Sequence, residues 1–302
     1  MKKLLALLLA LVMVISMAAC GQETKEPASD GNQDAADAET PDAAPEESSD
    51  AEDGSESDAD PAETESDLAY IQKKGTLVVG ITDFAPMDYK DEAGEWIGFA
   101  ADMAKAFGES LGVSVEFVEI DWDNKILELD AKTIDCVWNG MTLTDEVTSS
   151  MECSNAYCNN TQVVVVPADK ADQYQTVESC AELNFAVEAG SAGEAEITAL
   201  GYGFTPVKAQ ADALMEVAAG TSDAAVIDSL MAGAMVGEGT GYAGLTYTVS
   251  INEAEGEQYG VGFRKGSDLA QMLNEFFAAS YADGSMMDCA ETYGIQAAVI
   301  AQ

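Results

Sequence analysis

Residues 75–87, GTLVVGITDFAPM, decide the fold expected for this chain. Thr76 to Ile81 is a short apolar run rich in β-branched residues, which is typical of a buried parallel strand. Pro86 then breaks the chain into a loop, and apolar side chains recur at helical spacing over 100–111. A strand, a loop and a helix in this order predict the first unit of a parallel α/β sheet.

The same rhythm continues towards the C-terminal end of the sequence. Strands are predicted over 113–120, 134–138, 162–166, 184–187 and 223–227, and helices over 123–130, 191–200, 211–219 and 268–281, with a last helix up to Gly294. Strands alternating with helices predict parallel sheets with right-handed crossovers. A folded stretch of about 235 residues suits two lobes better than a single core.

The first twenty residues predict export and lipid attachment. Lys2 and Lys3 precede an apolar run, 4–19, which ends in a small pair before Cys20. A basic start, an apolar stretch and a small-residue cleavage site define an export signal, and the run is shorter than the ~20 residues of a membrane-spanning helix. Cys20 after the small pair resembles a bacterial lipoprotein cleavage box, so residues 1–19 are expected to be a signal peptide and Cys20 to carry lipid. An ordinary signal peptide with an incidental cysteine is the alternative.

Residues 20–67 are expected to form a lipidated, acidic and disordered tether. From residue 21 onwards this stretch holds eighteen acidic residues against one lysine, Lys25, and no apolar side chain larger than alanine. Such a segment cannot bury enough apolar surface to offset its ordering entropy, and its charges repel. Self-repulsion extends it and would hold the folded part away from the membrane. An acidic interaction tail is the alternative.

The composition of 68–302 excludes several functional classes. This region has thirty-seven Asp and Glu against ten Lys and Arg, and phosphate contacts need clustered basic residues, so no nucleic-acid partner is expected. The chain has no histidine, and Arg264 is its one arginine. Histidine is the commonest general base and zinc ligand, so we expect a binding protein rather than an enzyme, with no metal and no cofactor.

Five cysteines remain once Cys20 is assigned to lipid. They are Cys136, Cys153, Cys158, Cys180 and Cys289. Export permits disulfides, so a bond between Cys153 and Cys158 across a short loop is possible, but spacing alone does not fix connectivity. Buried or structural thiols are the alternative.

Eight segments in a fixed order carry a family resemblance. They are GTLVVG (75–80), DFAPM (83–87), GEWIGF (94–99), DWD (121–123), NGMTLT (139–144), EAGS (188–191), DAAVID (223–228) and YGVGFRKG (259–266). In this order they resemble the family-3 extracellular solute-binding proteins, the amino-acid receptors of ABC importers. The resemblance implies a monomer outside the cytoplasm, anchored by lipid to the outer face of the cytoplasmic membrane. It would deliver its solute to an ABC permease and ATPase.

The resemblance also implies an α/β fold of two lobes, the type II periplasmic-binding-protein fold, with a mostly parallel sheet flanked by helices in each lobe. The first lobe would comprise 68–161 and 257–302, and the second 162–256. Crossovers near Asn160 and Glu255 would act as hinges, so that closure buries a solute between the lobes. The site is expected at the carboxyl ends of strands.

Three side chains are expected to hold an amine-bearing solute. Phe84 and Trp122 match the positions where the family places aromatic rings, which hold aliphatic chains or cations by their faces. Asp228 matches the family's carboxylate for the α-ammonium group, a charge-assisted contact. Core packing is the alternative for the two rings, and an N-cap of the next helix is the alternative for Asp228.

Loop residues are expected to hydrogen-bond the solute's carboxylate. Asn139, Gly140 and Thr142 match the family's first such loop. Gly190 and Ser191 match the second, where N–H groups at a helix start favour anions. A plain turn at 139–140 and a helix cap at Ser191 are the alternatives.

Two further positions bear on the charge of the solute. Asp83 would add negative potential or serve as a turn residue. Val147 stands where the family usually has an arginine paired with the solute carboxylate, and Arg264 belongs to a different motif. We therefore expect amine recognition to be kept and carboxylate recognition to be weakened.

Two other functional classes remain in competition with solute delivery. An exported enzyme on the same fold, such as a cyclohexadienyl-type dehydratase, acts on dicarboxylates and would need cationic anchors in the cleft. A sensory receptor domain would bind the same solute and signal. The sequence favours solute delivery over both.

Overall fold

The structure is a computed structural model that describes residues 66–252 and 256–302. The predicted signal peptide, the lipidated Cys20, the tether up to residue 65 and the hinge position Glu255 lie outside the described residues. The first described element is helix α1, Asp67–Lys74, whose N-cap Ser66 accepts a hydrogen bond from the Ala69 N–H. Helix α1 therefore begins one residue before the lobe boundary expected at residue 68.

The first lobe is built on a six-stranded sheet. Its spatial order is β4-β1-β5-β13-β6, and β7 also pairs with β13. The strands are β1 (Thr76–Ile81), β4 (Ser114–Glu119), β5 (Cys136–Thr142), β6 (Glu152–Cys153), β7 (Cys158–Asn160) and β13 (Glu257–Phe263), and a small hairpin joins β2 (Tyr89–Lys90) to β3 (Trp96–Ile97). Its helices, besides α1, are α2 (Phe99–Leu111), α3 (Lys125–Asp130), α4 (Asp145–Ser150), α8 (Leu269–Asp283) and α9 (Ser285–Thr292).

The second lobe is built on a five-stranded sheet of order β10-β9-β11-β8-β12. The strands are β8 (Gln162–Pro167), β9 (Phe185–Glu188), β10 (Phe204–Val207), β11 (Ala224–Asp228) and β12 (Leu245–Ser250), and the helices are α5 (Ala192–Leu200), α6 (Gln210–Ala219) and α7 (Ser229–Met235). The chain crosses from the first sheet to the second between β7 and β8 and returns between β12 and β13. The α/β fold of two lobes is as the sequence predicts.

Strand direction in both sheets is mixed, whereas the sequence predicts a mostly parallel sheet in each lobe. Strand β1 is parallel to β4 and β5, and β9 is parallel to β10 and β11, as expected for strands joined through helices. Strands β8 and β13, the first after each crossing, run antiparallel to β11 and β5. In the part of the chain that the structure describes, no helix crosses back over the sheet before either strand. Each strand therefore enters the sheet at the end where its neighbour finishes, and it runs antiparallel to that neighbour.

An aromatic core stabilises the first lobe behind β5. Trp138 packs edge-on against Phe277 of α8, with ring centroids 5.6 Å apart, and Tyr157 lies 5.6 Å from the same ring. Phe107 of α2 contacts Trp138 at 6.3 Å. These side chains are fully buried, so the last residues of β5, which follow Trp138, lie directly after a tightly packed aromatic cluster.

Strand β5 is longer than the sequence predicts. The expected strand covers 134–138 and the expected loop begins at Asn139, yet β5 extends from Cys136 to Thr142. Met141 and Thr142 lie opposite Gly260 and Tyr259 of β13, and this pairing holds the polar end of β5 in the sheet.

The five described cysteines are free thiols. Cys153 in β6 lies opposite Gly262 of β13, whereas Cys158 in β7 lies opposite Tyr259, so the two are separated along β13 and do not form a disulfide. Within the described ranges no helix combines the length and apolar character that crossing a bilayer requires. In the same part of the chain, no cluster of three or more His, Cys, Asp or Glu is arranged to hold a metal ion.

Candidate functional site

A polar cavity lies between the two lobes, at the carboxyl ends of β5, β9 and β11. It is lined by Trp122, Asn139, Gly140, Thr142, Glu188, Ser191, Ala192, Gln210 and Asp228. Its volume of about 20 Å³ has room for about one water molecule. A larger solute can therefore enter only if the lobes separate. Six of the nine predicted ligand-binding residues line this cavity; Asp83, Phe84 and Gly190 do not.

Asp228 is buried at the end of β11 and is held by a ring of amide side chains. Its carboxylate accepts hydrogen bonds from Asn160, Gln162 and, at 2.6 Å, from Gln210. Burial and the nearby Glu257 carboxylate raise its pKa. The residue occupies the N-cap position of α7, but its side chain makes no capping hydrogen bond there. The carboxylate thus faces the cavity and not the helix.

Glu188 is a second carboxylate in the same cavity. It ends β9 and is only 2% exposed, and its Oε1 atom has no hydrogen-bond partner among the described residues. Burial, with a further contribution from Asp228, raises its pKa to about 8. A buried carboxyl oxygen without a donor is costly to maintain. A cationic donor from a solute would supply the missing partner.

The two predicted aromatic residues are placed differently. Trp122, in a 3₁₀ turn before α3, lines the cavity and is 7% exposed. Phe84 is 2% exposed and packs edge-on against Tyr259, with ring centroids 6.4 Å apart. The Phe84 ring lies directly beneath Gly140, since a Cβ added at Gly140 would lie 2.2 Å from its Cε1 atom. Its expected stacking on a solute stays a prediction, and in this structure the ring supports the cavity floor.

The end of β5 forms that floor. Asn139 donates to the Thr82 carbonyl and to Asp88, both at 2.9 Å, so its amide nitrogen is used inside the first lobe. Gly140 adopts φ +49°, a conformation that suits glycine, and brings its backbone to the cavity wall. Thr142 donates to Glu257 at 3.2 Å.

The loop before α5 forms the facing wall. Ser191 caps α5 by accepting from the Glu194 N–H at 3.1 Å, and the Gly190 N–H donates to the Glu194 carboxylate at 2.8 Å. The Gly190 N–H is therefore already satisfied, whereas Ser191 and Ala192 reach the cavity. The expected contact between Gly190 and the solute stays a prediction.

Asp83 and Val147 do not line the cavity. Asp83 is exposed, and its pKa is raised by partial burial and by Glu119. Val147 is buried in an apolar cluster with Trp122, Met141 and Met151, so the position that carries arginine in the resemblance packs here as core.

Sequence reasoning missed three lining residues: Glu188, Gln210 and Ala192. Glu188 belongs to a quoted motif, but the charge of a residue at a strand end does not reveal that it is buried. Gln210, which begins α6, both donates to the Asp228 carboxylate and accepts from the Asp228 N–H at 2.8 Å. No local signal distinguishes such a glutamine from a solvated one.

The chain belongs to the bacterial extracellular solute-binding proteins, family 3, whose pattern matches residues 77–296. The L-arginine-binding protein of Pseudomonas aeruginosa is 30% identical over 218 residues, which cover 70% of this chain and 84% of the relative. A mutant of ArgBP from T. maritima superimposes with a TM-score of 0.70 and 30% identity, covering 75% of this chain and 98% of that one.

An ancestral amino-acid-binding protein, described as a precursor of cyclohexadienyl dehydratase, superimposes with a TM-score of 0.68 and 31% identity. It covers 75% of this chain and 98% of its own. The predicted family, two-lobed fold and solute-binding function are thus confirmed.

Proposed function

We propose that this protein captures a small amine-bearing solute, an amino acid, between its lobes and delivers it to an ABC permease and ATPase. One observation carries the proposal: two buried carboxylates, Asp228 and Glu188, share one cavity with the Trp122 side chain. An ammonium group there gains charge-assisted hydrogen bonds in a desolvated setting and contact with an aromatic face. Arginine binding by a 30% identical relative points to the same solute class.

Capture requires the lobes to move, and the two crossings are the proposed hinges. Asn160 and Gln162, which flank the first crossing, donate to Glu257, which begins β13 after the second. The same two amides donate to Asp228. The hinge and the proposed ammonium site therefore share hydrogen-bond donors, and we place the lobe boundaries at 161 and 257.

The proposed location is the outer face of the cytoplasmic membrane. Cys20 would carry the lipid, residues 21–65 would span the gap, and the folded part would act as a monomer. Membership of an extracellular family supports the compartment. Metabolic labelling with a palmitate analogue, lost in Cys20→Ala, tests the anchor.

Calorimetry against a panel of amino acids and amines tests the solute class. We expect basic or neutral amine-bearing solutes to bind, and Trp122→Ala and Asp228→Asn each to abolish binding. Trp96→Ala and Asp223→Asn are matched controls, because Trp96 lies in the β2–β3 hairpin and Asp223 precedes β11 at its far end, where it accepts from the Asn184 N–H. Tight binding of acidic amino acids without any binding of amines would contradict the proposal.

A dehydratase is the second candidate, favoured by one observation. Glu188, with its raised pKa, is a protonated carboxyl group near neutral pH and so has the property of a general acid. None of the described residues that line the cavity is a lysine or an arginine that could hold a dicarboxylate, and the chain's one arginine, Arg264, lies instead against Asp67. Turnover of prephenate would favour the enzyme over the binding protein.

A further inference from the structure

Lys125 is a buried lysine at the start of α3, beside the cavity. It is 9% exposed, and its ammonium group donates to two backbone carbonyls, Trp122 at 3.2 Å and Gly190 at 2.9 Å. Trp122 belongs to the first lobe, and Gly190 precedes α5 in the second. The ammonium nitrogen also lies 5.1 Å from the Trp122 ring centroid. This charge is therefore fixed where the two lobes meet.

The Lys125 ammonium group keeps one N–H donor without an acceptor among the described residues. Among the described residues it forms no salt bridge, and its two hydrogen bonds use two of its three N–H donors. Burial lowers its pKa, while the nearby carboxylates of Glu146, Glu188, Asp123 and Glu194 act in the opposite direction without forming an ion pair with it. A buried cation with a spare donor gains most from an anionic partner.

The position of Lys125 suits the carboxylate end of an amino acid. Both of its carbonyl partners belong to segments that reach the cavity, through Trp122 on one side and through Ser191 and Ala192 on the other. The same cavity holds the carboxylates proposed for the ammonium group. An α-amino acid carries an ammonium and a carboxylate group on one carbon atom, so a fixed cation near fixed carboxylates complements both of its charges.

We propose that Lys125 binds the solute's α-carboxylate, in the role that an arginine at position 147 has in the resemblance. This inference rests on the proposed function and deepens it. Val147 leaves no cation on α4, and Lys125 supplies one from the neighbouring α3. The preferred solute is then a complete amino acid and not its decarboxylated amine, which revises the weakened carboxylate recognition expected from the sequence.

A purely mechanical role for Lys125 is the rival explanation. Its hydrogen bond to the Gly190 carbonyl joins the lobes and would stabilise closure around any solute. The two roles differ in one observable. A latch affects every solute alike, whereas a carboxylate partner affects only solutes that have a carboxylate.

Calorimetry with arginine and agmatine, which differ only in the carboxylate, separates these roles. If arginine does not bind, histidine with histamine or lysine with cadaverine replaces the pair. We expect Lys125→Gln, which removes the charge and keeps an N–H donor, to weaken arginine binding about 10- to 100-fold while agmatine changes less than about threefold. Lys125→Arg keeps the charge and should keep the preference for arginine.

Lys208→Gln is the matched control, since Lys208 also joins the lobes, through an exposed 3.2 Å salt bridge to Asp121. It should leave the arginine-to-agmatine ratio unchanged. An equal loss of both ligands in Lys125→Gln, or an unchanged ratio, overturns the carboxylate role and leaves the proposed function intact. If the wild-type protein binds another amino acid of the panel instead, that amino acid and its decarboxylated amine replace these pairs. If it binds no amino acid and no amine, the proposed function itself fails. Thermal unfolding of each variant in the absence of ligand shows whether a loss of binding reflects loss of folding.

Discussion

Glu188→Gln tests whether the cavity holds a carboxyl group that is kept neutral by burial. Burial raises the pKa of Glu188 from 4.5 to about 8 in the folded protein. Between those values the folded protein binds about one proton more than the unfolded chain. The stabilising contribution of protonated Glu188 is complete below pH 4.5 and is lost as the pH rises towards 8.

The size of the effect follows from that shift. One pKa unit corresponds to about 1.4 kcal/mol. Between pH 5 and pH 7 Glu188 ionises in the unfolded chain but stays protonated in the folded protein, so the free energy of unfolding falls by about 2 kcal/mol. Glutamine has nearly the same shape and does not titrate. The stability of Glu188→Gln relative to wild type should therefore rise by about 2 kcal/mol over this interval.

Urea unfolding of both proteins at pH 5, 6 and 7 measures this difference. Glu116→Gln, an exposed carboxyl group of β4, is the control and should show no such trend. A stability difference between Glu188→Gln and wild type that stays constant with pH would refute the reasoning, because Glu188 would then be ionised throughout.

A cationic solute should also release a proton from Glu188 on binding at pH 7, which calorimetry in buffers of different ionisation enthalpy detects.

Two further substitutions test the packing beneath the cavity floor and the buried ion pairs of the first lobe. Gly140→Ala should lower the free energy of unfolding by about 2–4 kcal/mol, because Gly140 has a positive φ and the added methyl group would clash with Phe84; it should also reduce solute affinity. Gly94→Ala is the control, since Gly94 has a positive φ but open space around it. It should lower the free energy of unfolding by about 1 kcal/mol and leave solute affinity unchanged. Arg264→Met should cost about 3–5 kcal/mol in urea unfolding, since Arg264 donates to Asp67 and to the Ile134 carbonyl and lies 3.5 Å from buried Asp135. The exposed salt bridge between Lys90 and Glu119 is the comparison, and Lys90→Met should lower the free energy of unfolding by less than about 1 kcal/mol. If both substitutions lower it equally, burial does not strengthen the contacts of Arg264.

Elements with a strong local signal could be predicted almost to the residue. Strand β1 covers Thr76–Ile81 as expected, because a β-branched apolar run between glycines has few other stable arrangements. Helix α2 begins one residue before its predicted start. The sequence does not predict strands β10 and β12, because their residues form no apolar run and are mostly half-exposed in the structure. Pairing of β10 with β9 and of β12 with β8 holds these two strands in the sheet.

The candidate site was predictable where the chain itself marks it. Asp228 ends an apolar strand and Trp122 lies between two aspartates, so both stand out, and both line the cavity. Lys125 did not stand out, because a lysine three residues after Trp122 on a short helix is indistinguishable in sequence from a solvated one. Its burial depends on Gly190, sixty-five positions away along the chain.

The sequence by itself determined the two-lobed α/β fold, the family and the class of function, because these follow from local patterns repeated in a fixed order. The tertiary structure alone decided which charges lie in the cavity. It buried Glu188 beside Asp228, fixed Lys125 between the lobes and placed Phe84 beneath Gly140. The physical reason is that burial and charge pairing depend on contacts between residues distant in sequence, which no local pattern records.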